Sequence, residues 1–488
     1  MNYLCLDIGT TCIKAQVFSS KGDIVFYEQR ECSLKQIDGT NYADIEKIIQ
    51  IVKGLVKKSA EVAKIHSIAI SSFGESFVTL DKDDNILTYP MLYTDARGAE
   101  EAEEIKKMFG NDYCFKTFGA CPRAMYSISK LLWIKNNFPD IFSRIDKIAL
   151  ICDYIGYILT GRRVIDYALA SRTGMFELKN KTFSKAICDQ FGIKISFFSE
   201  PKPTGTIVAK IKECICNELD LDKNTVLILG SHDQICATIG AGAIADGESA
   251  DGMGTVECIT SIFKDKPMET EMGILGYPIV PFINNLYCTY ILNMTSNSIM
   301  QWYRENILHN YKGQQETVFD YLESDNETPT EILVLPYFSG SGTPYNDVTA
   351  KGSIVNLGLN SKDGDIYRSM MESTSYEMKY NLEIVQRYGI NVKKVVATGG
   401  GANSKKWVQI KSDIFDKEVK TLRSSEGGLC GLAMICSVAL GECADFATAR
   451  NVFVQYKDVF VPSKKYDSIY KRKYNKYKQL YKNLKEMF

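Results

Sequence analysis

Apolar residues in the first seventy positions follow strand and helix periods in turn. Alternating or continuous apolar runs predict the strands, which cover residues 2–8, 13–18, 24–27 and 65–71. Before the last of these strands, residues 43–64 carry apolar side chains at helical spacing. The first two strands are joined by the turn Gly9-Thr10-Thr11. Strands interrupted by a helix predict an α/β fold and argue against a helical bundle.

The second half of the chain begins in a similar way. A buried strand is predicted over 226–230, and residues 250–264 predict a hairpin that turns at Gly252-Met253-Gly254-Thr255. Helical spacing recurs over residues 297–308, 364–388 and 428–440. A strand over 394–398 ends in Gly399-Gly400-Gly401. Two α/β halves that each open with a Gly-Thr hairpin predict a duplicated nucleotide-binding scaffold.

The boundary between the halves is predicted in the Gly- and Ala-rich stretch 240–247. A chain of 488 residues is longer than one ordinary hydrophobic core accommodates, so two domains are the default expectation. We therefore predict domains 1–245 and 246–488, with a catalytic cleft between them.

The C-terminal segment predicts an amphipathic helix. One face carries the apolar and aromatic side chains Tyr466, Ile469, Tyr470, Tyr477, Leu480, Tyr481, Leu484 and Phe488. The other face is basic, with nine Lys or Arg against two acids between Lys464 and Glu486. Such a helix occurs in tails that bind RNA or membranes, and also in helices docked by their aromatic stripe. Because the rest of the chain compensates the charge, the docked helix is the favoured interpretation.

Composition and charge exclude several classes of function. The chain is 45% hydrophobic and 24% charged, which is typical of a globular protein, and its net charge is −1. This balance provides no electrostatic basis for binding nucleic acid. No apolar run reaches the ~18–20 residues that span a bilayer, and the N-terminal residues lack the basic leader of a signal peptide. We therefore expect a soluble cytoplasmic protein.

The cysteines and histidines argue against two further classes of enzyme. Fifteen cysteines are scattered through the chain without a Cys-x-x-Cys pair, which favours free thiols over a disulfide framework or a zinc site. Only three histidines occur, and no Gly-x-Ser-x-Gly motif is present. Metal-dependent and serine hydrolases are therefore disfavoured.

The string Asp7-Ile8-Gly9-Thr10-Thr11, with Lys14 three residues further on, is typical of a phosphate-binding turn. The amides and hydroxyls of the turn would bind phosphate oxygens, and the Asp7 carboxylate would hold Mg²⁺ through water. An ordinary hairpin with a hydrogen-bonded Asp is the alternative. The second hairpin, which turns at Gly254-Thr255, favours phosphate binding because two such hairpins facing each other can clamp a phosphate.

Two further motifs follow strands and precede helices. The run Gly399-Gly400-Gly401-Ala402-Asn403 lets the backbone approach a flat ligand such as adenine or ribose, with a helix N-terminus facing it. Asp233, followed by Gln234, lies where the strand 226–230 gives way to a helix. There an Asp can point into a cleft and accept a proton from a substrate hydroxyl. A carboxylate that caps the helix is the alternative for Asp233.

In their order along the chain, these motifs resemble those of the FGGY carbohydrate kinases, a branch of the actin- and hexokinase-like ATPases with two ribonuclease H-like domains. Asp7 to Lys14 matches the first phosphate motif, Gly254-Thr255 the second, Gly399 to Asn403 the adenosine motif, and Asp233 the catalytic position. The family's two signatures and a segment typical of xylulokinases are matched by Met125–Asn137, Asp365–Glu372 and Ser339–Asn346. The resemblance implies an ATP-dependent sugar kinase with Mg²⁺, whose N-terminal domain binds the sugar and whose C-terminal domain binds ATP.

The residues that would contact the sugar are mixed between branches of this family. The segment Phe73-Gly74-Glu75-Ser76 lies where xylulokinases have a sequence similar to Gln-Met-His-Gly and glycerol kinases one similar to Gln-Arg-Glu-Thr. Glu75 therefore resembles the glutamate of the glycerol kinase branch, although Gly74 stands in place of the arginine of that branch. The segment from Tyr93 to Arg97 is similar to the Trp-Asn-Asp-Gly-Arg of the pentulose branch. The resemblance implies that the sugar is bound by Gly74, Glu75, Asp95, Arg97, Asp233 and Gln234.

The resemblance also implies the chemical roles and the partners. Asp233 would be the general base and Asp7 the Mg²⁺ ligand, and the acceptor would be a pentulose such as xylulose. A kinase of glycerol, another polyol or a sugar acid on the same scaffold is an alternative, and an actin-like switch ATPase is another. The expected partner is a small-molecule sugar, with no nucleic acid and no membrane. The oligomeric state stays open, a homodimer included.

Overall fold

The computed structural model describes residues 1–308, 328–424 and 426–488, and the chain forms two compact units. The first unit comprises Met1–Ile244, Pro278–Tyr287 and Glu426–Val454, and the second comprises Ala245–Tyr277, Cys288–Ser425 and Gln455–Phe488. Two segments from the second half of the sequence thus belong to the first unit. The assignment of sugar binding to residues 1–245 and of ATP binding to residues 246–488 stays a prediction.

The strands form one central sheet in each unit and smaller sheets around it. They are β1 Asn2–Ile8, β2 Cys12–Ser19, β3 Ile24–Glu31, β4 Leu34–Ile37, β5 Thr40–Ala43, β6 Ser67–Ser72, β7 Phe77–Leu80, β8 Ile86–Thr88, β9 Lys147–Leu150, β10 Val164–Asp166, β11 Phe176–Glu177, β12 Thr182–Phe183, β13 Glu200–Lys202, β14 Ile207–Lys210, β15 Val226–Ile228, β16 Glu248–Met253, β17 Glu257–Phe263, β18 Val280–Pro281, β19 Tyr287–Asn293, β20 Leu333–Leu335, β21 Ser353–Val355, β22 Lys394–Thr398, β23 Val419–Leu422 and β24 Tyr456–Phe460.

The α-helices lie between and after these strands. They are α1 Ile45–Val62, α2 Ala99–Phe118, α3 Ser127–Asn137, α4 Pro139–Ser143, α5 Ile151–Thr160, α6 Tyr167–Ser171, α7 Lys185–Phe191, α8 Glu213–Leu219, α9 Asp233–Gly240, α10 Thr270–Ile274, α11 Asn297–Asn306, α12 Asp363–Arg387, α13 Lys405–Phe415, α14 Gly427–Ala439, α15 Phe446–Phe453 and α16 Asp467–Leu484. Each predicted strand and helix is present. Their ends differ by a few residues because caps and turns, rather than the apolar pattern, set the boundaries.

The central sheet of the first unit has the strand order β14-β15-β6-β1-β2-β3. β1 pairs antiparallel with β2 and parallel with β6, and β15 pairs parallel with β6. β6 is buried at every position, as expected for a central strand that is covered on both faces. Because β1, β6 and β15 run in the same direction, their carboxyl ends lie at one edge of the sheet. That edge carries Asp7, Ser71 and the segment that leads into α9.

The central sheet of the second unit repeats this arrangement. Within the unit its strand order is β19-β17-β16-β22-β23-β24. β16 pairs antiparallel with β17 and parallel with β22, and β23 pairs parallel with β22. Each unit therefore combines an antiparallel hairpin with two further parallel strands, in the same order. The predicted duplication of an α/β scaffold is confirmed.

The C-terminal helix α16 packs on α12 through its aromatic face. Tyr470, Tyr474 and Tyr477 are buried, and their ring centres lie 6.4, 5.8 and 5.7 Å from that of Tyr376. The interpretation as a docked helix is confirmed. The basic face differs from the expectation in one place, since Lys473 is fully buried and pairs with the carboxylate of Glu372 on α12.

Among the described residues, no helix combines the length and the apolar character needed to cross a membrane. The fifteen cysteines are free thiols in this structure, and most of them are buried.

Candidate active site

The first Gly-Thr turn brings an acid and a lysine onto adjacent strands. Asp7 on β1 pairs in register with Lys14 on β2, and the Gly9 N–H donates to the carbonyl of Cys12 at 3.0 Å. A Cβ at position 9 would lie 2.9 Å from that carbonyl oxygen, so the tight turn favours glycine. The predicted phosphate-binding residues Asp7, Gly9, Thr10, Thr11 and Lys14 therefore lie together.

The Asp7 carboxylate is held at the edge of the sheet. The Ser71 hydroxyl donates to its Oδ1 at 2.5 Å, and a Cβ added to Gly428 would lie 3.4 Å from its Oδ2. Burial raises the pKa of Asp7 to about 6, and the negative charge of Asp233 adds to the rise. Asp7 is therefore mostly ionised at pH 7 and lies within electrostatic range of Asp233.

The surroundings of Asp7 fit a magnesium ion held mainly by water and phosphate. In the part of the chain that the structure describes, no three His, Cys, Asp or Glu side chains are grouped so as to enclose a metal ion. Mg²⁺ keeps several waters in such sites and is bound by one or two carboxylates together with substrate phosphates. An ionised carboxylate beside the predicted phosphate-binding turn matches that mode of binding.

Lys14 forms an ion pair that the sequence did not reveal. Its Nζ donates to the two carboxylate oxygens of Glu426 at 3.0 and 2.8 Å. Glu426 directly precedes α14, which packs so closely on α9 that a Cβ at Gly240 would lie 1.8 Å from the Gly427 carbonyl oxygen. These glycines bring the start of α14 close to the turn Gly9-Thr10-Thr11. The one sequence feature that could have indicated this ion pair is a Glu followed by two glycines at the start of an apolar helix.

Asp233 is the first residue of α9 and follows the sheet edge directly. Its Oδ1 accepts the N–H of Gln234 at 2.6 Å and lies 3.3 Å from Nε2 of His232. Burial raises the pKa of Asp233 to about 6 and lowers the pKa of His232 to about 4, so at pH 7 the histidine is neutral. Ser231 anchors this segment by donating to the buried Asp166 carboxylate at 2.6 Å. A mostly ionised carboxylate with a raised pKa has the chemistry of a general base.

Glu75 forms a buried ion pair next to Asp233. It is 2% exposed, and its backbone lies in the left-handed region with φ 62°. Nε of Arg172 donates to Oε1 of Glu75 at 2.7 Å, and an Nη atom of the same guanidinium makes a second contact. A Cβ at Gly74 would lie 3.1 Å from both Arg172 Cγ and His232 Cδ2, so these residues are in contact. We refer to Gly74, Glu75, Arg172, His232 and Asp233 as the Asp233 cluster.

Asp95 and Arg97 form a second polar group in the same unit. Nε of Arg97 donates to Asp95 at 3.0 Å, and Nη1 donates to the Tyr42 hydroxyl at 2.7 Å. The fully buried Lys130 donates to the Asp95 carbonyl at 2.8 Å. Burial lowers the pKa of Lys130 while the charges of Asp95 and Glu75 act in the opposite direction. Lys130 is thus within electrostatic range of both predicted sugar-binding groups.

In the second unit, the turn Gly254-Thr255 and the glycine run lie side by side. β16 and β22 are parallel neighbours in which Gly252 is opposite Thr398. Gly399 has φ 81°, and a Cβ there would lie 2.9 Å from the Met253 carbonyl oxygen. A side chain at position 399 would therefore collide with the backbone of β16, so this position favours glycine. The predicted ATP-binding residues Gly254 and Gly399 therefore lie next to each other, and their role in binding a nucleotide stays a prediction.

The helix predicted after the glycine run is present, and a short turn of 3₁₀-helix precedes it. Gly400–Asn403 form one turn of 3₁₀-helix, and α13 starts at Lys405 because the Ser404 side chain accepts the N–H of Trp407. Directly after Gly399 the chain thus enters a 3₁₀ turn, and the predicted α-helix follows it. Asn403 is exposed at the end of this turn.

Behind the second hairpin, Lys411 is buried between two acids. Its Nζ donates to Asp251 Oδ2 at 2.5 Å and also contacts the Glu257 carboxylate, which accepts the Ser296 hydroxyl at 2.8 Å. Asp251 and Glu257 flank the turn on β16 and β17, so this triad connects α13 to the hairpin. Nothing in the sequence indicates this triad, because a single lysine within an amphipathic helix is normally solvated.

Both halves of the chain match one family of known proteins. Residues 2–240 match the description "FGGY family of carbohydrate kinases, N-terminal domain", and residues 284–440 match the C-terminal domain of the same family. A xylulose kinase from Staphylococcus epidermidis is 23% identical over 99% of this chain and 97% of that protein. A gluconokinase from Bacillus subtilis is 28% identical over 91% of this chain and 88% of that protein.

Solved structures show the same fold. The ligand-bound xylulose kinase from Lactobacillus acidophilus superimposes with a TM-score of 0.91 at 24% identity, covering 99% of this chain and 98% of that one. At this level of identity the likeness concerns the fold alone.

Proposed function

The chain belongs to the FGGY family of carbohydrate kinases and is an ATP-dependent sugar kinase, and we propose that its acceptor is a pentulose such as xylulose. The predicted two-domain α/β fold of the actin- and hexokinase-like class is confirmed. The pentulose proposal is supported by one observation above all. Asp95, in the segment that is similar to the pentulose branch, is held by the same helix as Glu75 of the Asp233 cluster. On α3, Lys130 donates to the Asp95 carbonyl at 2.8 Å and Ser127 donates to the Glu75 carbonyl at 2.6 Å.

In the proposed reaction, Asp233 takes the proton of the acceptor hydroxyl while the hydroxyl oxygen bonds to the γ-phosphorus of ATP. The bond from that phosphorus to the β–γ bridging oxygen breaks, and ADP leaves with the electron pair. The raised pKa of Asp233 makes it a stronger base than an exposed Asp, yet leaves it mostly ionised at pH 7. This combination suits a general base.

The remaining residues would bind the two substrates. In the first unit, the amides of Gly9-Thr10-Thr11 and the ammonium of Lys14 would stabilise negative charge on the phosphates. Asp7 would hold Mg²⁺ through water, and the ion when bound neutralises phosphate charge. The adenosine and phosphates would also contact residues of the second unit, namely Gly254, Thr255, Gly399, Gly400, Gly401 and Asn403.

Sugar recognition would come from hydrogen bonds made by buried polar groups. We assign it to Glu75, Asp95, Arg97 and Gln234, with Gly74 allowing close approach of the backbone. Such a site discriminates strongly, because a sugar that lacks one hydroxyl leaves a buried polar partner unpaired. The preference among acceptors would therefore depend on this group of residues.

The proposal is tested by ADP release from Mg-ATP with D-xylulose, D- and L-ribulose, L-xylulose, glycerol, erythritol and D-gluconate as acceptors. We expect strong stimulation by one ketopentose. Stimulation by a polyol or by gluconate alone would contradict the pentulose assignment while keeping the kinase. Steady hydrolysis that no acceptor stimulates would favour a switch ATPase.

The activity is expected to fall on the acid side of about pH 6. Burial raises the pKa of both Asp7 and Asp233 to about 6, and each must be ionised for its role. Protonation below that pH removes the base and the metal-binding charge together, so log kcat/KM should fall with a slope between one and two. The measurement is kcat/KM for the best acceptor from pH 5 to pH 8. A level profile down to pH 5 would contradict both assignments.

A further inference from the structure

Arg172 is a buried cation in the Asp233 cluster that the proposed mechanism does not use. It is 6% exposed, its Nε donates to Glu75 at 2.7 Å, and its guanidinium carbon lies 5.3 Å from the ring centre of Tyr126. Arginine is rarely buried to this degree unless it is paired. Its position beside Asp233, the proposed base, therefore calls for a chemical role.

The fold holds Arg172 and Asp233 through a common anchor. The Asp166 carboxylate caps α6 by accepting the N–H groups of Ala168 and Leu169, each at 3.1 Å, and Arg172 directly follows that helix. The same carboxylate accepts the Ser231 hydroxyl, two residues before Asp233. The guanidinium and the base are thus positioned by one buried acid, and Gly74 leaves room for the Arg172 side chain.

The charges of the cluster determine which acceptors it tolerates. Glu75 and Asp233 contribute −1 each and Arg172 contributes +1, so with a neutral His232 the cluster carries a net charge of −1. Hydroxyl groups can donate to such a cluster, whereas a second carboxylate is repelled. A guanidinium binds carboxylates through parallel N–H bonds, and here Glu75 already takes that position.

We propose that the Glu75–Arg172 pair selects neutral sugars over sugar acids, because Glu75 masks a guanidinium that would otherwise bind the carboxylate of a sugar acid. The inference rests on the proposed function, since it takes Asp233 to mark the place where the acceptor hydroxyl reacts. Arg172 is then a specificity-determining residue. It sets the preference for neutral acceptors without touching the transferred phosphoryl group.

The test is Glu75→Gln, which removes the masking charge and keeps the side-chain size. We expect the ratio of kcat/KM for D-gluconate to that for the best neutral acceptor to rise at least about tenfold, as one charge-assisted hydrogen bond provides. In Glu75→Gln/Arg172→Gln the rise should disappear, because the cation is also gone. Calorimetry of D-gluconate binding without ATP gives a second measurement that is independent of turnover.

A matched control comes from a buried ion pair in the second unit. Nε of Arg368 donates to Oε1 of Glu372 at 2.7 Å, Lys473 pairs with the same carboxylate, and all three side chains are buried. Glu372→Gln should lower thermal stability, as Glu75→Gln does, without changing the ratio between acceptors. This separates loss of a buried charge from a change in specificity.

Two outcomes would overturn the inference. One is that Glu75→Gln lowers kcat/KM for both acceptors by the same factor and leaves gluconate binding unchanged, which would make the pair structural. The other is a wild-type enzyme that prefers D-gluconate to every neutral acceptor. If no acceptor is phosphorylated at all, the proposed function fails, and the gluconate affinities of wild type and Glu75→Gln still decide the role of the pair.

Discussion

Asp233→Ala is expected to lower kcat by about 10²–10⁴-fold while ATP binding is retained. The variant removes the carboxylate that takes the proton from the acceptor hydroxyl. The residues assigned to ATP, such as Lys14 and the turn Gly254-Thr255, are left in place. The measurement is ADP release with the best acceptor, together with calorimetry of ATP binding to the variant.

Two controls make the Asp233 result specific. Asp233→Asn keeps an oxygen that can accept the Gln234 N–H but cannot take a proton, so it should lose as much turnover as the alanine variant. Asp445→Ala removes another acid at a helix start, one that caps α15 by accepting the Thr448 N–H at 2.7 Å, and should keep turnover. Wild-type turnover in Asp233→Asn would refute the assignment of the base.

Lys411→Met is expected to destabilise the fold by about 3–5 kcal/mol, because it leaves two buried carboxylates without their cation. Lys411, Asp251 and Glu257 are fully buried, so water cannot replace the lost ion pairs. The loss should also displace the Gly254-Thr255 turn that the two acids flank, and so weaken ATP binding. Denaturant unfolding followed by circular dichroism measures the first effect, and calorimetry with ATP the second.

The effect of Lys411→Met should depend on pH. Burial raises the pKa of Asp251 to about 7 although the charge of Lys411 lowers it, so removal of Lys411 should raise this pKa further. Stability falls as the pH rises from the ordinary value of 3.8 to the pKa in the folded state, so the fall ends near pH 7 in the wild type and continues above it in the variant. The variant should therefore be more severely destabilised at pH 8 than at pH 5.

A triple variant and an exposed ion pair serve as controls for Lys411. Lys411→Met/Asp251→Asn/Glu257→Gln removes all three charges and should recover much of the lost stability. Lys464→Met breaks the solvent-exposed pair with Asp416 and should leave the unfolding midpoint unchanged. If the unfolding midpoint of Lys411→Met equalled that of the wild type, Asp251 and Glu257 would not need the lysine for stability, and the prediction would be wrong.

The sequence alone predicted those site residues that belong to a short motif next to an apolar strand. Asp7 and the turn after it lie between two apolar strands, and Asp233 comes after another apolar strand, so their places at a sheet edge follow from the order of elements along the chain. The glycine run Gly399-Gly400-Gly401 was recognised for the same reason. These motifs need only a few consecutive residues to be identified, which is why the α/β duplication and the kinase family were predictable.

Only the tertiary structure determined which charged residues pair with the predicted site residues and with the acids beside them. Arg172 is 97 residues from Glu75, Glu426 is 412 residues from Lys14, and Lys411 is 160 residues from Asp251. In the sequence each of these looks like an ordinary solvated charge, because neither helical spacing nor strand alternation indicates its partner. An ion pair depends on the distance between two side chains, and only the packed fold brings charges so far apart in sequence close enough to pair away from water.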